Sequence, residues 1–195
     1  SDTAGNIQQL SLNGNWGDPG MHPKLSDMMQ VWVNDHPDCD TVIHTNGSMH
    51  KPEWWQTLAG ILKNYRHRVV WNLDGIGEDH ALYRRNTNFD KIIENMRAFN
   101  NASGSSEWTM TLWDHNIHYI DQAEKLASMF GCNWFSTRQT HTTDTCTLHD
   151  ENNNELHTIT AHKTRDMATE VINLSNLDTK DIPRITYADD HATKC

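Results

Sequence analysis

No stretch of this chain approaches the ~18 uninterrupted apolar residues that a membrane span needs, and no signal peptide opens it. Cysteine is scarce: Cys39, Cys132, Cys146 and Cys195 are the only four in 195 residues. None lies close to another, so neither a zinc knuckle nor a disulfide scaffold is suggested, and a reduced, cytoplasmic protein is expected. Positive charge is short as well, with 16 Lys and Arg against 26 Asp and Glu and a formal net charge of −10. Nucleic acid is therefore excluded as a partner, because phosphate binding needs a basic surface. The basic clusters here, Arg66-His67-Arg68 and Arg84-Arg85, are isolated. An acidic surface serves solubility. The length gives one domain with a sizeable core, yet falls short of the ~250 residues typical of a complete eight-stranded barrel.

What is present repeats. Three short apolar runs end in Asn-Gly or Asp-Gly: Gln8 to Leu12 at Asn13-Gly14, Thr41 to Thr45 at Asn46-Gly47, and Arg68 to Leu73 at Asp74-Gly75. Two more, Glu107 to Trp113 and Asn133 to Thr137, end in polar residues. Between two strands such pairs would mark hairpins, but here each leads into helical spacing, so the unit is strand, turn, helix. Leu25, Met28, Met29, Trp32 and Val33 share one helical face. So do Trp55, Leu58, Ala59 and Leu62; Phe89, Ile92, Ile93, Met96 and Phe99; and Ile120, Ala123, Leu126, Ala127 and Phe130. Pro23 and Pro52 suit first-turn positions and Gly131 a helix stop. The expected fold is α/β: a partial (β/α) barrel of parallel strands near 7–13, 41–46, 68–74, 107–114 and 133–139, with helices outside. In such folds ligands sit at the carboxyl ends of the strands, where the polar and glycine residues concentrate.

After Thr140 the character changes, which divides the chain into a barrel core over 1–140 and an extension over 141–195. Asp144 to His149 and Glu155 to Ile159 alternate around Asn152-Asn153-Asn154 and predict a β-hairpin. Arg165 to Leu174 fits a short helix, and 176–195 shows no pattern.

The loop Asn13-Gly14-Asn15-Trp16-Gly17-Asp18-Pro19-Gly20 carries the most chemistry. Glycine lets a ligand approach the backbone, a carboxylate accepts hydrogen bonds from an ammonium group, and proline fixes the turn. The plainer alternative is a tight loop whose Asp18 caps the next helix. Taken with Thr45-Asn46-Gly47, Trp54-Trp55, Asn72-Leu73-Asp74-Gly75, Tyr83-Arg84, Leu112 to Asn116 and Gly131-Cys132, the loop resembles the core of a radical S-adenosylmethionine enzyme over roughly residues 7 to 140. The likeness is to the phage and marine-type members that carry a further cysteine-rich region. It implies a six-unit partial barrel with S-adenosylmethionine at its strand ends. Trp16-Gly17-Asp18-Pro19 is similar to the Gly-Gly-Glu-Pro turn that receives the methionine amino group, with Asp one methylene shorter than Glu. The resemblance places Asn72 and Asp74 near the ribose, Arg84 on the methionine carboxylate, and Asn46 and Asn116 on the polar rim, with Asn15 also counted among the cofactor-binding residues; adenine falls near Ser136 and Thr137.

One departure is severe. The family's 4Fe–4S cluster is held by three cysteines spaced three and two residues apart after the first strand, and this sequence has no such motif. The expectation is a fragment whose amino-terminal cluster segment is missing, with Cys195 the first member of a truncated cysteine-rich region. The resemblance implies a whole enzyme that takes an electron from an external donor and cleaves S-adenosylmethionine to a 5′-deoxyadenosyl radical acting on a peptide or protein. Two alternatives stand beside it: a hydrolase with a metal held by Asp114, His115 and His118, since imidazole and carboxylate suit zinc or iron, and a cluster-less binding module.

Overall fold

The structure, a computed structural model, describes residues 7–14, 16–140, 144–163 and 170–176. Strand and helix alternate along the chain: β1 (Gln9–Leu12), α1 (Leu25–Asp35), β2 (Asp40–Thr45), α2 (Pro52–Ile61), β3 (His67–Asn72), α3 (Glu78–Tyr83), α4 (Phe89–Asn101), β4 (Ser106–Leu112), α5 (Ile120–Met129) and β5 (Trp134–Gln139). There follow β6 (Thr145–His149), β7 (Glu155–Thr160) and β8 (Glu170–Asn173). One sheet runs in the order β1-β2-β3-β4-β5-β8, with β1 to β5 parallel and β8 antiparallel to β5. The five parallel strands stand where the apolar runs put them, and the molecule has the architecture of a partial (β/α) barrel.

Strand alternation sorts side chains into two unlike faces. Ile43, Val69, Trp71, Trp108, Met110 and Phe135 share one apolar core with Leu25 and Met29 of α1, Trp55 and Leu58 of α2, Ile92 and Met96 of α4, and Leu126 of α5. The opposite face carries His44 on β2, Arg68 and Asn72 on β3, Glu107, Thr109 and Thr111 on β4, and Ser136 and Arg138 on β5. Polar contacts knit this face: hydrogen bonds from Ser136 to Glu107 Oε1 at 2.6 Å and from Thr109 to the same oxygen at 3.1 Å, and an ion pair of Arg68 with Glu107 Oε2 at 3.4 Å.

Local signals explain the ends of the elements. Pro52 opens α2, Asn88 caps α4 by accepting from the Lys91 N–H at 2.9 Å, and Gly131 follows α5 with φ +83°. At Gly47, with φ +73°, an added Cβ would come 2.8 Å from the Trp71 ring, so the Asn46-Gly47 turn admits no side chain there.

Three expectations need correction, and one element was not foreseen. Pro23 lies ahead of α1 rather than in its first turn, since the helix starts at Leu25 after Lys24. Met28 does not join the buried face of α1 but is largely exposed, because Leu25, Met29, Trp32 and Val33 already cover the core. The short α3 was not anticipated; six residues give too little periodicity to be read. Glu170–Asn173 is strand rather than helix: the open edge of β5 offers backbone partners, and Ile172 packs on the core while Val171 faces water. The rest of that helical expectation, 165–169, lies outside the described residues. The hairpin is as expected, β6 against β7, with Asn153 in a left-handed conformation at its tip. It docks over the carboxyl end of β4, where Trp113 bridges to Ala161 and packs with Leu148 and Ile159.

Candidate functional site

A continuous hydrogen-bonded network crosses the carboxyl ends of the parallel strands. It begins at Asp18, in the loop after β1. Oδ1 accepts from the Gly20 N–H at 2.8 Å, which caps the 3-10 turn Pro19–Met21, and from the Thr45 hydroxyl at 2.9 Å. Oδ2 accepts from the Asn46 N–H at 2.7 Å. Asp18 therefore caps a turn and also ties the first loop to the end of β2. Gly17, at φ +127°, and Pro19 shape that turn. The Asn46 side-chain Oδ1 accepts from the Ser48 N–H and hydroxyl, closing its own loop.

Asn72 continues the network. Its Nδ2 donates to the Thr45 carbonyl at 3.3 Å and its Oδ1 accepts from Arg138 Nη2 at 3.0 Å. Asp74 is fully buried: Oδ1 accepts from the Thr111 N–H at 2.6 Å, and Oδ2 from Arg84 Nε at 2.6 Å. Its own N–H donates to His80 Nδ1 at 3.2 Å, which fixes the ring proton of the neutral imidazole on Nε2. Asn116 is also fully buried. Its Nδ2 donates to the Asp74 and Thr111 carbonyls, and its Oδ1 accepts from the Trp113 N–H, all at 2.9 Å. Asn116 thus braces the turns under the rim, with both of its polar atoms engaged.

Burial sets the protonation of the histidines beside this network. His80 is pushed down to about 4, chiefly by burial. His44 is held below its ordinary value of 6.5 first by burial and then by the charge of Arg138. Burial likewise pushes the Cys132 thiol up to about 11, so it stays protonated.

Asn46, Asn72, Asp74, Arg84, Asn116 and the Gly17-Asp18-Pro19 turn thus come together at one end of the sheet. Asn15 lies outside the described residues. Sequence reasoning missed Thr45, Thr111, His80 and Arg138 as members. Thr111 and Arg138 share a face with Asn72 only through the register Thr111↔Arg138 and Asn72↔Thr109, which spacing along the chain does not reveal. Of the adenine candidates, Ser136 lies on the polar face, bonded to Glu107, and Thr137 has the opposite parity.

The metal alternative is corrected. Asp114 bonds His162 at 2.9 Å, His118 packs against the Tyr119 ring, and both ring nitrogens of His115 are buried without a partner. Among the described residues no group of three or more His, Cys, Asp or Glu is placed to hold a metal. The described cysteines do not suit an iron–sulfur cluster either: Cys39 donates to the Ile7 carbonyl, Cys132 to Met96 Sδ, and Cys146 sits in the hairpin. Cys195 lies outside the described residues, and no described helix is long and apolar enough to cross a membrane.

The fold and its rim define a class: a half barrel of parallel strands with a polar, strand-end mouth. The sequence matches no protein-family model and no curated protein. Solved structures do share the fold. SuiB of Streptococcus suis, bound to S-adenosylmethionine, superposes with TM-score 0.54 at 15% identity over 66% of this chain and 29% of its own. The same protein bound to the precursor peptide SuiA gives 0.53 at 16% identity, over 66% and 28%. The enzyme anSMEcpe with bound AdoMet gives 0.51 at 14% identity, over 65% and 34%. These neighbours are radical S-adenosylmethionine enzymes. This chain spans about a third or less of their length.

Proposed function

We propose that this chain is the S-adenosylmethionine-binding barrel of a radical S-adenosylmethionine enzyme. The observation that carries the proposal is the network from Asp18 to Arg84 across the carboxyl ends of the parallel strands. It gathers in one place the residues that the family resemblance assigns to the cofactor. The shared fold with proteins solved in complex with S-adenosylmethionine supports it.

In this reading Asp18 receives the methionine amino group. The Thr45 hydroxyl lies within reach of both Asp18 oxygens, so an incoming ammonium group takes over the Oδ2 side of that shared contact. Arg84 meets the methionine carboxylate through its terminal nitrogens, its Nε being engaged by Asp74. Asp74 aims that guanidinium, while Asn72, with Asn46 on the rim, borders the ribose. S-Adenosylmethionine would supply the 5′-deoxyadenosyl radical once reduced by a 4Fe–4S cluster. The cluster is assigned to cysteines outside this sequence, because the thiols described do not converge. A peptide or protein substrate is the first choice, supported by the SuiB structure with its precursor peptide. The reaction proceeds with an external electron donor in the cytoplasm.

Calorimetric titration of the chain with S-adenosylmethionine tests this, at a temperature where every variant is folded. Asp18→Asn and Arg84→Lys should each weaken binding by ~1–3 kcal/mol, through a lost charge-assisted hydrogen bond and a lost planar fork respectively. Unchanged affinity in both removes these residues from the site, and no binding to the wild-type chain ends the proposal.

A further inference from the structure

The polar face of the sheet carries an unbalanced charge. Asp74 is paired with Arg84 at 2.6 Å and Glu107 with Arg68 at 3.4 Å. Arg138 faces no carboxylate within ion-pair distance among the described residues. Its bonds go to neutral acceptors, from Nη2 to Asn72 Oδ1 at 3.0 Å and from Nε to Thr111 Oγ1 at 3.4 Å. His44, on the same face, has its pKa held below the ordinary value first by burial and then by the Arg138 charge. A protein with a net charge of −10 has carboxylates to spare. This half-buried arginine is nonetheless held in place by an amide and a hydroxyl.

Such an arrangement is wasteful for stability alone. Ordering a long side chain costs conformational entropy, and partial burial weakens the hydration of its charge. It does suit recognition: the guanidinium has five N–H groups, of which the described residues use two, and its fork is fixed before any ligand arrives. The His44 imidazole, on the same sheet face, adds a donor without adding a competing anion.

We propose that Arg138, steadied by Asn72 and Thr111, anchors a carboxylate of the substrate inside the half barrel, on the sheet face that also carries His44 and at a place separate from Arg84. The matching chemistry is an acidic side chain or a chain terminus of a peptide. This assignment rests on the proposed function for the identity of the bound molecule as substrate, while the anion site itself is a property of the residues described.

The test uses the 195-residue chain labelled for NMR, with N-acetyl-glutamate N′-methylamide as probe and its glutamine counterpart as neutral isostere. The glutamate probe should shift the Arg138 Nε–H and His44 ring signals and raise the His44 titration midpoint, also when S-adenosylmethionine is present at saturation. Arg138→Gln should weaken the probe at least about tenfold, and Arg138→Lys less. Should Arg138→Gln fail to fold, the lysine variant and the isostere carry the comparison. Equal binding of the isostere, or undiminished binding to the folded variants, overturns the proposal. Displacement of the probe by S-adenosylmethionine overturns it too, by making Arg138 a cofactor contact. Loss of S-adenosylmethionine binding with the probe response intact would instead count against the proposed function alone.

Discussion

Asp18 accepts on both oxygens, and this decides how its replacement should behave. As a plain turn cap, Asn would serve nearly as well as Asp. Here Oδ1 holds Gly20 and Thr45 while Oδ2 holds the Asn46 N–H, and an amide would set one NH2 group against a donor. Asp18→Asn should therefore destabilise the fold by ~1–3 kcal/mol in urea denaturation; an unchanged midpoint would mean that the loop is held otherwise. Arg84→Met should cost more, ~3–5 kcal/mol, because it strands the fully buried Asp74 carboxylate. His80 adds a pH dependence. Its folded pKa of about 4 lies below the ordinary 6.5, so between these values the unfolded chain binds the proton and the folded one does not. Stability is complete above about pH 6.5 and falls as pH drops toward 4, by about 3 kcal/mol in all. In His80→Asn the amide oxygen replaces Nδ1 as acceptor of the Asp74 N–H, and the variant should show a shallower decline in urea midpoint between pH 8 and 4. His44, His67 and His115 are displaced in the same direction and retain the remainder.

Among the elements, β1 and α1 have the least cover. Among the described residues β1 pairs only with β2, and its other edge presents free backbone groups. Nearby, Trp16 is fully exposed, and Met21, Met28 and Val31 stand at 63%, 47% and 60% exposure. An open edge beside apolar side chains promotes pairing between chains. Concentration-dependent association should appear in sedimentation, and Gln9→Lys, on the exposed edge strand, should reduce it; a monodisperse wild-type chain at high concentration would refute this. The helices show why single-sequence periodicity reads some elements better than others. In α4, Phe89, Ile92, Ile93, Met96 and Phe99 are all buried, because the helix lies full length on the sheet. In α1, Met28 and Val31 make a second apolar face that period alone does not separate from the first.

At the scale of the whole molecule, the three described thiols lie apart, Cys39 just before β2, Cys132 just before β5 and Cys146 in β6, and burial keeps Cys132 protonated. A cluster needs thiolates converging on one place. Anaerobic reconstitution of this chain with iron and sulfide should thus leave well below one cluster per chain. Stoichiometric iron with a bound-cluster absorption band would show that the ligands have been misjudged. The hairpin and β8 make the part beyond 140 more than an appendage. One covers the end of β4 through Trp113, Leu148 and Ile159, and the other adds an antiparallel edge beside β5.

The sequence by itself determined the βα repeat. Apolar runs closed by Asn13-Gly14, Asn46-Gly47 and Asp74-Gly75 are local signals, set by strand propensity and by turns that need glycine. It also determined the polar residues at the strand ends, since Asp18, Asn46, Asn72 and Asp74 sit beside or just after those turns. Only the tertiary structure decided what these residues do to one another. The burial of Asn116 and the meeting of Arg138 with Asn72 across 66 positions depend on how the strands are set side by side, and the pairing of Arg84 with Asp74 on how α3 folds back over the end of β3. Register comes from the packing of whole faces, and no spacing within one segment contains it.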